Sequence, residues 1–109
     1  MLPSETRRTT GLSELVVLQC LERGEMYGYE IAQEVKAKTS GEIEMRDGLL
    51  YPLLHDLTAR SFLSARRTKV DGRSRVYYRL TARGRKQLDA LRGEWNNLVA
   101  AMEVVLAWR

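Results

Sequence analysis

The stretch "DGLLYPLLHDLTARSFL", residues 47–63, decides how this chain is read. Leucines 50, 53, 54 and 57 fall at helical spacing, the apolar stripe of a helix pressed into a core. Pro52 stands inside that stripe, where it brings no amide proton and crowds the preceding turn. Two readings of the helix start are therefore open. It begins at Tyr51 with Pro52 in its first turn, or near Asp47 with the proline tolerated. Asp47 suits the positive end of the helix dipole in either case. The four inward leucines leave Arg46, Leu49, Tyr51, His55, Asp56 and Ala59 for the other faces.

Beyond this helix the charge changes abruptly. Between Arg60 and Lys86 stand ten Lys or Arg residues and a single acid, Asp71. That segment carries +9 in a chain whose formal net charge is +4, so the remainder carries −5. Such asymmetry focuses positive potential on one part of the molecule and calls for a polyanionic partner, nucleic acid first. The apolar period changes in the same place. "SARRTKV" and "RSRVYYRL" flank Asp71-Gly72, a strong hairpin signal. In the second strand Val76, Tyr78 and Leu80 share one face, and Arg75, Tyr77 and Arg79 the other. A lone hairpin is marginal in water, so this one must lean on helices. Arginines 66, 67, 73, 75 and 79 carry forked donors suited to phosphate oxygens, on a rigid hairpin rather than a loose tail.

Upstream, "LSELVVLQCLER" (12–23) is apolar on nearly every side and reads as a buried helix capped by Gly24. "EMYGYEIAQEVKAKTSG" (25–41) gives a second helix, in whose first turn Gly28 costs about 1 kcal/mol and marks a close backbone approach. "EIEM" (42–45) supplies at most a very short strand. Residues 1–10 form a polar arm, flexible or lying on a partner. Three helices and a basic hairpin make a winged helix-turn-helix over residues 11–80. The fold class is thus mainly α with a small β-hairpin.

Thr81 is a sensible N-cap for a long helix reaching Arg109. Its apolar positions Leu88, Leu91, Trp95, Leu98, Met102 and Val105 are spaced as a heptad seam, with Gly84 and Gly93 weakening it slightly. A chain of 109 residues buries only ~60–65% of its unfolded surface, so a second copy is a natural source of further burial. Residues 81–109 therefore read as a dimerisation helix with that seam as its interface. Trp95 has two readings: plain interface core, or, with Leu91 and Leu98, the wall of an apolar slot where a planar aromatic or phenolic effector stacks.

Enzymatic chemistry finds no footing. The single Cys20 lies in an apolar run and reads as a structural thiol. The single histidine, His55, has no second ligand at metal spacing, and no serine sits in a nucleophile turn. The chain is expected to use no cofactor and no metal. No apolar run approaches a bilayer span, and no signal-peptide core opens the chain. It reads as cytoplasmic and off the membrane.

Three segments together resemble the PadR-type transcriptional regulators: "LVVLQCLERGEMYGYEIAQEV" (15–35), the opening stretch, and "DGRSRVYYRLTARGR" (71–85). The similarity covers residues 11–86, and the elements "YGYEI", "LYPLL" and "YYRLTARG" are its specific marks. The C-terminal helix is similar to that of the short branch with one such helix. The resemblance implies a dimeric winged-helix repressor that binds palindromic operators on double-stranded DNA and releases them on binding a small molecule. It also implies that the third helix starts near Asp47 and carries Pro52. Leu49 stands where the family often has Thr or Ser, and Arg46 where a capping Ser or Asn is common. On this reading Arg46, Leu49, Tyr51 and His55 approach base edges or flanking phosphates, and Lys69, Arg73, Ser74 and Arg75 form the wing's contacts. A competing reading is a winged-helix adaptor whose basic face meets an acidic protein.

Overall fold

A computed structural model describes residues 3–108, with side chains from Gly11 onward. The order of elements is α1 (Pro3–Cys20), a 3-10 turn (Leu21–Arg23), β1 (Met26–Tyr27), α2 (Gly28–Lys38), α3 (Asp47–Ala59), β2 (Leu63–Val70), β3 (Arg73–Leu80) and α4 (Ala82–Leu106). The mainly helical winged helix-turn-helix with its long C-terminal helix is what the sequence leads one to expect. Three boundaries differ. The segment expected as an arm is helical from Pro3, a residue suited to a first helical turn, while residues 1 and 2 lie outside the described ones. Met26 and Tyr27 leave the second helix and pair antiparallel with Tyr78 and Tyr77 of β3. They complete a three-stranded sheet of order β1-β3-β2. Helix α4 ends at Leu106, short of the expected Arg109, which lies outside the described residues. Residues 42–45, read as at most a very short strand, form none, and only Met45 among them is buried.

Helix α3 starts at Asp47. The amides of Leu49 and Leu50 both bond the Arg46 carbonyl, at 2.9 and 2.8 Å. Pro52 lies on the exposed side, as does Gly48, whose carbonyl loses its amide partner to the proline. Water can reach that carbonyl, so the proline leaves no buried polar group unsatisfied. Leu50, Leu53, Leu54 and Leu57 all face inward. The helix closes on Ser61 in the left-handed conformation (φ 66°), with the Phe62 amide returning to the Leu57 carbonyl at 2.9 Å.

The hairpin turns through Asp71 (φ 50°) and Gly72 (φ 79°), the two left-handed residues of a type I′ turn. Its register runs from Val70↔Arg73 at the tip to Leu63↔Leu80 at the base. Leu63, Tyr78 and Leu80 enter the core beside Val17, Leu18, Leu21, Ile31 and the α3 leucines. Each such side chain contributes about 1.5–3 kcal/mol on burial.

Two polar knots fix the helices to one another. The carboxylate of Glu14, 5% exposed, accepts from Arg60 and Gln87, each at 2.7 Å, joining α1, the end of α3 and α4. The Thr81 hydroxyl lies 2.7 Å from the Ser61 carbonyl and 3.0 Å from that of Phe62, and accepts from the Gly84 amide at 2.9 Å.

Helix α4 is 25 residues long, about 37 Å, and the molecule measures 60 Å along its longest axis. Leu88 is a correction to the expected interface. It is 1% exposed within the single chain, packed into the core, and has no surface left for a second copy. Leu91 is half-buried against that core. Further along, Trp95, Met102 and Val105 are exposed and Leu98 is half-exposed. No described helix is long and apolar enough to cross a membrane.

Candidate nucleic-acid interface

The outer side of α3 and the inner side of the wing meet across a cleft of about 290 Å³. From α3 come Tyr51 and His55, and from β3 come Ser74, Arg75, Val76 and Tyr78, with Tyr27 and Gly28 completing the wall. Four of the residues picked out in the sequence, Tyr51, His55, Ser74 and Arg75, are thus brought to one place. Arg46 and Leu49 are exposed but lie outside this lining, as do Lys69 and Arg73 beside the hairpin turn.

Gly28 shows why the cleft has this shape. A Cβ on Gly28 would lie 2.6 Å from Cε1 and 2.7 Å from the hydroxyl of Tyr51. The bare backbone at the start of α2 is the seat of that ring. This is the close approach that Gly28 signals in the sequence. Tyr27 was not legible as a site residue. It enters because β1 pairs with β3 across some fifty residues of chain, and a two-residue strand has no periodicity to betray it.

The basic segment divides into structural and available charge. Arg66 grips Glu25 through two bonds, 3.3 and 2.5 Å, and lies 5.0 Å over the Tyr77 ring. That pairing holds the Glu25 carboxyl below its usual range. Arg60 is taken up by Glu14 and Asp56, and Arg79 donates to the Ser64 hydroxyl at 3.0 Å. Among the described residues no acid pairs with Lys69, Arg73 or Arg75. Arg46 reaches Glu44 only at 4.0 Å and stays exposed. Cations left unpaired flank the cleft, so the face is electropositive and accessible, as a phosphate backbone requires.

The remaining candidates are chemically quiet. Burial first, and the Glu34 charge second, push the Cys20 thiol up to about 11, so it stays protonated and unreactive. Among the described residues no cluster of three metal-ligating side chains occurs. Trp95, Leu91 and Leu98 lie on α4 and take no part in the cleft.

The model of the transcriptional regulator PadR-like family matches residues 17–90. A protein of Lysinibacillus sphaericus is 31% identical over 86 residues, covering 78% of this chain and 79% of that one. A transcriptional regulator from Clostridium thermocellum superposes with a TM-score of 0.80 at 25% identity, covering 85% of this chain and 91% of its own. PadR of Bacillus subtilis, solved in complex with operator DNA, superposes with a TM-score of 0.67 at 26% identity, over 72% of this chain and 45% of that one.

Proposed function

The chain belongs to the transcriptional regulator PadR-like family, is a DNA-binding regulator rather than an enzyme, and we propose from that premise that it is a ligand-responsive repressor gripping a palindromic operator as a homodimer. The observation that carries the DNA reading is the cleft. Tyr51 and His55 of α3 meet Ser74 and Arg75 of the wing there, beside cations with which no acid among the described residues pairs. A two-fold dimer presents two α3 helices to successive major grooves, with half-sites about 10 bp apart. Lys69 and Arg73 then contact backbone or minor groove, while Arg46 and Leu49 approach bases or the phosphates beside them. That Bacillus subtilis PadR, similar in fold to this chain, was solved in complex with operator DNA supports the DNA reading.

Dimerisation is assigned to the far part of α4. Trp95, Leu98, Met102 and Val105 keep apolar surface that the single chain does not cover. Leu98 and Met102 are the cleaner test, because Leu91 also packs on the monomer's own core. With each large-to-small change in a buried interface worth about 2–5 kcal/mol, Leu98→Ala with Met102→Ala converts the dimer to monomer at micromolar concentration. Sedimentation velocity reads this directly, and a wild type that already sediments as a monomer sinks the proposal.

The effector is assigned to the same seam. Two copies of Trp95, 41% exposed in the single chain, form an apolar slot for a planar aromatic or phenolic molecule. A ligand there changes DNA binding only if it prefers one helix spacing over the other. Tryptophan fluorescence titrated with phenolic acids and flat cationic dyes is expected to quench in wild type and in Trp108→Ala, and not in Trp95→Ala. Quenching that survives Trp95→Ala and vanishes with Trp108→Ala moves the site to the helix end.

A further inference from the structure

We propose that Tyr27 is a positioning residue for DNA binding, its ring holding the Arg75 guanidinium so that Arg75, Ser74, Tyr51 and His55 close on one backbone phosphate rather than on base edges. The inference rests on the DNA reading of the cleft and deepens it. The Arg75 guanidinium carbon lies 4.4 Å from the centroid of the Tyr27 ring. Tyr27 is itself braced by the Tyr77 ring, edge-on at 5.5 Å, and by the β1–β3 pairing that sets Tyr27 opposite Tyr77. On the far side of Tyr77 lies Arg66, locked to Glu25. The contacts thus run from Arg75 of β3 to Tyr27 of β1 and back through Tyr77 to Arg66 of β2, with Arg66 tied to an acid and Arg75 paired with no acid among the described residues.

The chemistry of guanidinium makes the Arg75 end useful, since a bond to the Tyr77 hydroxyl occupies only part of its five donors. Its face can rest on an aromatic ring while its edge keeps its forked N–H donors for an oxyanion. Resting Arg75 on Tyr27 removes the rotamer freedom that a long exposed side chain would otherwise lose on binding. The same geometry reassigns Tyr51 and His55. Both line the cleft with Ser74 and Tyr27. Although Ser74 and Arg75 leave the strand on opposite faces, the Tyr27 ring holds the Arg75 guanidinium at the edge of that cleft, where one phosphate can meet both walls. Arg46 and Leu49, outside that wall, are left as the residues of α3 free to reach base edges.

The test compares wild type, Tyr27→Phe and Tyr27→Leu on a random-sequence duplex and on an operator selected from genomic fragments. Phenylalanine keeps the ring and leucine removes it. An exposed cation–π contact is worth a factor of about two to five, and a dimer uses it twice. Tyr27→Leu is therefore expected to weaken binding to both duplexes by about 5- to 30-fold, with their ratio unchanged, and Tyr27→Phe to bind as wild type. His55→Ala is expected to weaken both duplexes equally as well. Wild-type affinity in Tyr27→Leu overturns the positioning role, and a loss in Tyr27→Phe equal to that in Tyr27→Leu shows a direct hydroxyl contact instead. A loss in His55→Ala confined to the operator returns His55 to base reading. A DNA-free arm separates this inference from the DNA reading. Ring current from Tyr27 shifts the Arg75 δ protons upfield in wild type and Tyr27→Phe, and the shift disappears in Tyr27→Leu. Absence of that shift in wild type overturns the contact whether or not the protein binds DNA.

Discussion

A Gly84→Ala variant is expected to lose about 3 kcal/mol or more of stability, although the substitution lies inside a helix where alanine is ordinarily the better residue. By propensity alone the change gains about 1 kcal/mol. The surroundings reverse the sign. A Cβ at position 84 would stand 2.1 Å from the Phe62 carbonyl oxygen and 2.9 Å from Cδ1 of Leu80. The first of these is backbone, and it cannot step aside without moving the turn between α3 and β2. That turn is held by the Thr81 amide and hydroxyl, both directed at the Phe62 carbonyl. Alanine must therefore break the Thr81 contacts, lift the first turn of α4 off the core, or both. Overpacking of this kind costs about 1–3 kcal/mol in ordinary cores, and a backbone obstacle places it at or above the upper end. At the low end of the usual margin of about 5–15 kcal/mol, that removes more than half of it. Urea titration followed by circular dichroism checks this, with the midpoint falling and Gly93→Ala as control, since a Cβ at Gly93 meets nothing within 4 Å. A Gly84→Ala protein as stable as wild type would mean that the α3–β2 turn is far more yielding than its hydrogen bonds suggest.

Neutralising Arg73 and Arg75 together is expected to produce the largest change in DNA binding. Neither residue has an acidic partner among the described residues, so their charge is available to phosphate. Each neutralised phosphate contributes about 0.9 to the slope of log K against log salt. A dimer that loses four such contacts flattens the slope by about 3.6 and loses roughly a thousandfold in affinity near 0.15 M salt. Random and operator duplexes suffer alike, because phosphates carry no sequence. Arg66→Ala provides the contrast. Its guanidinium is already committed to Glu25, so its removal loosens the wing but leaves the slope nearly unchanged. Fluorescence anisotropy between 50 and 200 mM salt decides the matter: a double variant with the wild-type slope removes the wing from the electrostatic anchor.

What was legible in the sequence was what repeats or what a turn demands. The leucines of α3 lie on one stripe and the strands of the wing alternate, so both elements and their buried faces follow from spacing. Asp71-Gly72 names its own turn. What escaped was whatever depends on a partner far along the chain. Met26 and Tyr27 are extended because β3 lies beside them, and helical spacing through Tyr27, Ile31 and Val35 pointed the other way. The seam of α4 is continuous in sequence, yet its first position, Leu88, is spent on the monomer's own core. A heptad pattern records that a face is covered and not which molecule covers it. The same holds for the basic stretch, where a count of charges could not separate Arg60 and Arg66, paired with Glu14 and Glu25, from Arg73 and Arg75. Within the candidate site, the exposed α3 residues and the wing cations were readable from the pattern. The ring of Tyr27 beneath Arg75 and the seat of Tyr51 on Gly28 belong to tertiary structure alone.

The Thr81 knot has a consequence for how this architecture can diversify. Thr81 closes the wing at its base, where its amide donates to Phe62 at 3.1 Å and its hydroxyl spans the Ser61 and Phe62 carbonyls. Everything from Leu63 to Leu80 is thus a loop whose two ends are stapled together, and only its lower part enters the core. Lengthening a loop whose ends are already joined adds little closure entropy. The tip beyond Arg67 and Val76 can therefore be extended or exchanged as a cassette, with each strand lengthened by two residues at a time so that inward and outward faces keep their alternation. Every such step moves the turn outward by about 6–7 Å. Groove reach and operator preference can then drift in descendants of this chain while its core, and the helix beyond Thr81, stay as they are.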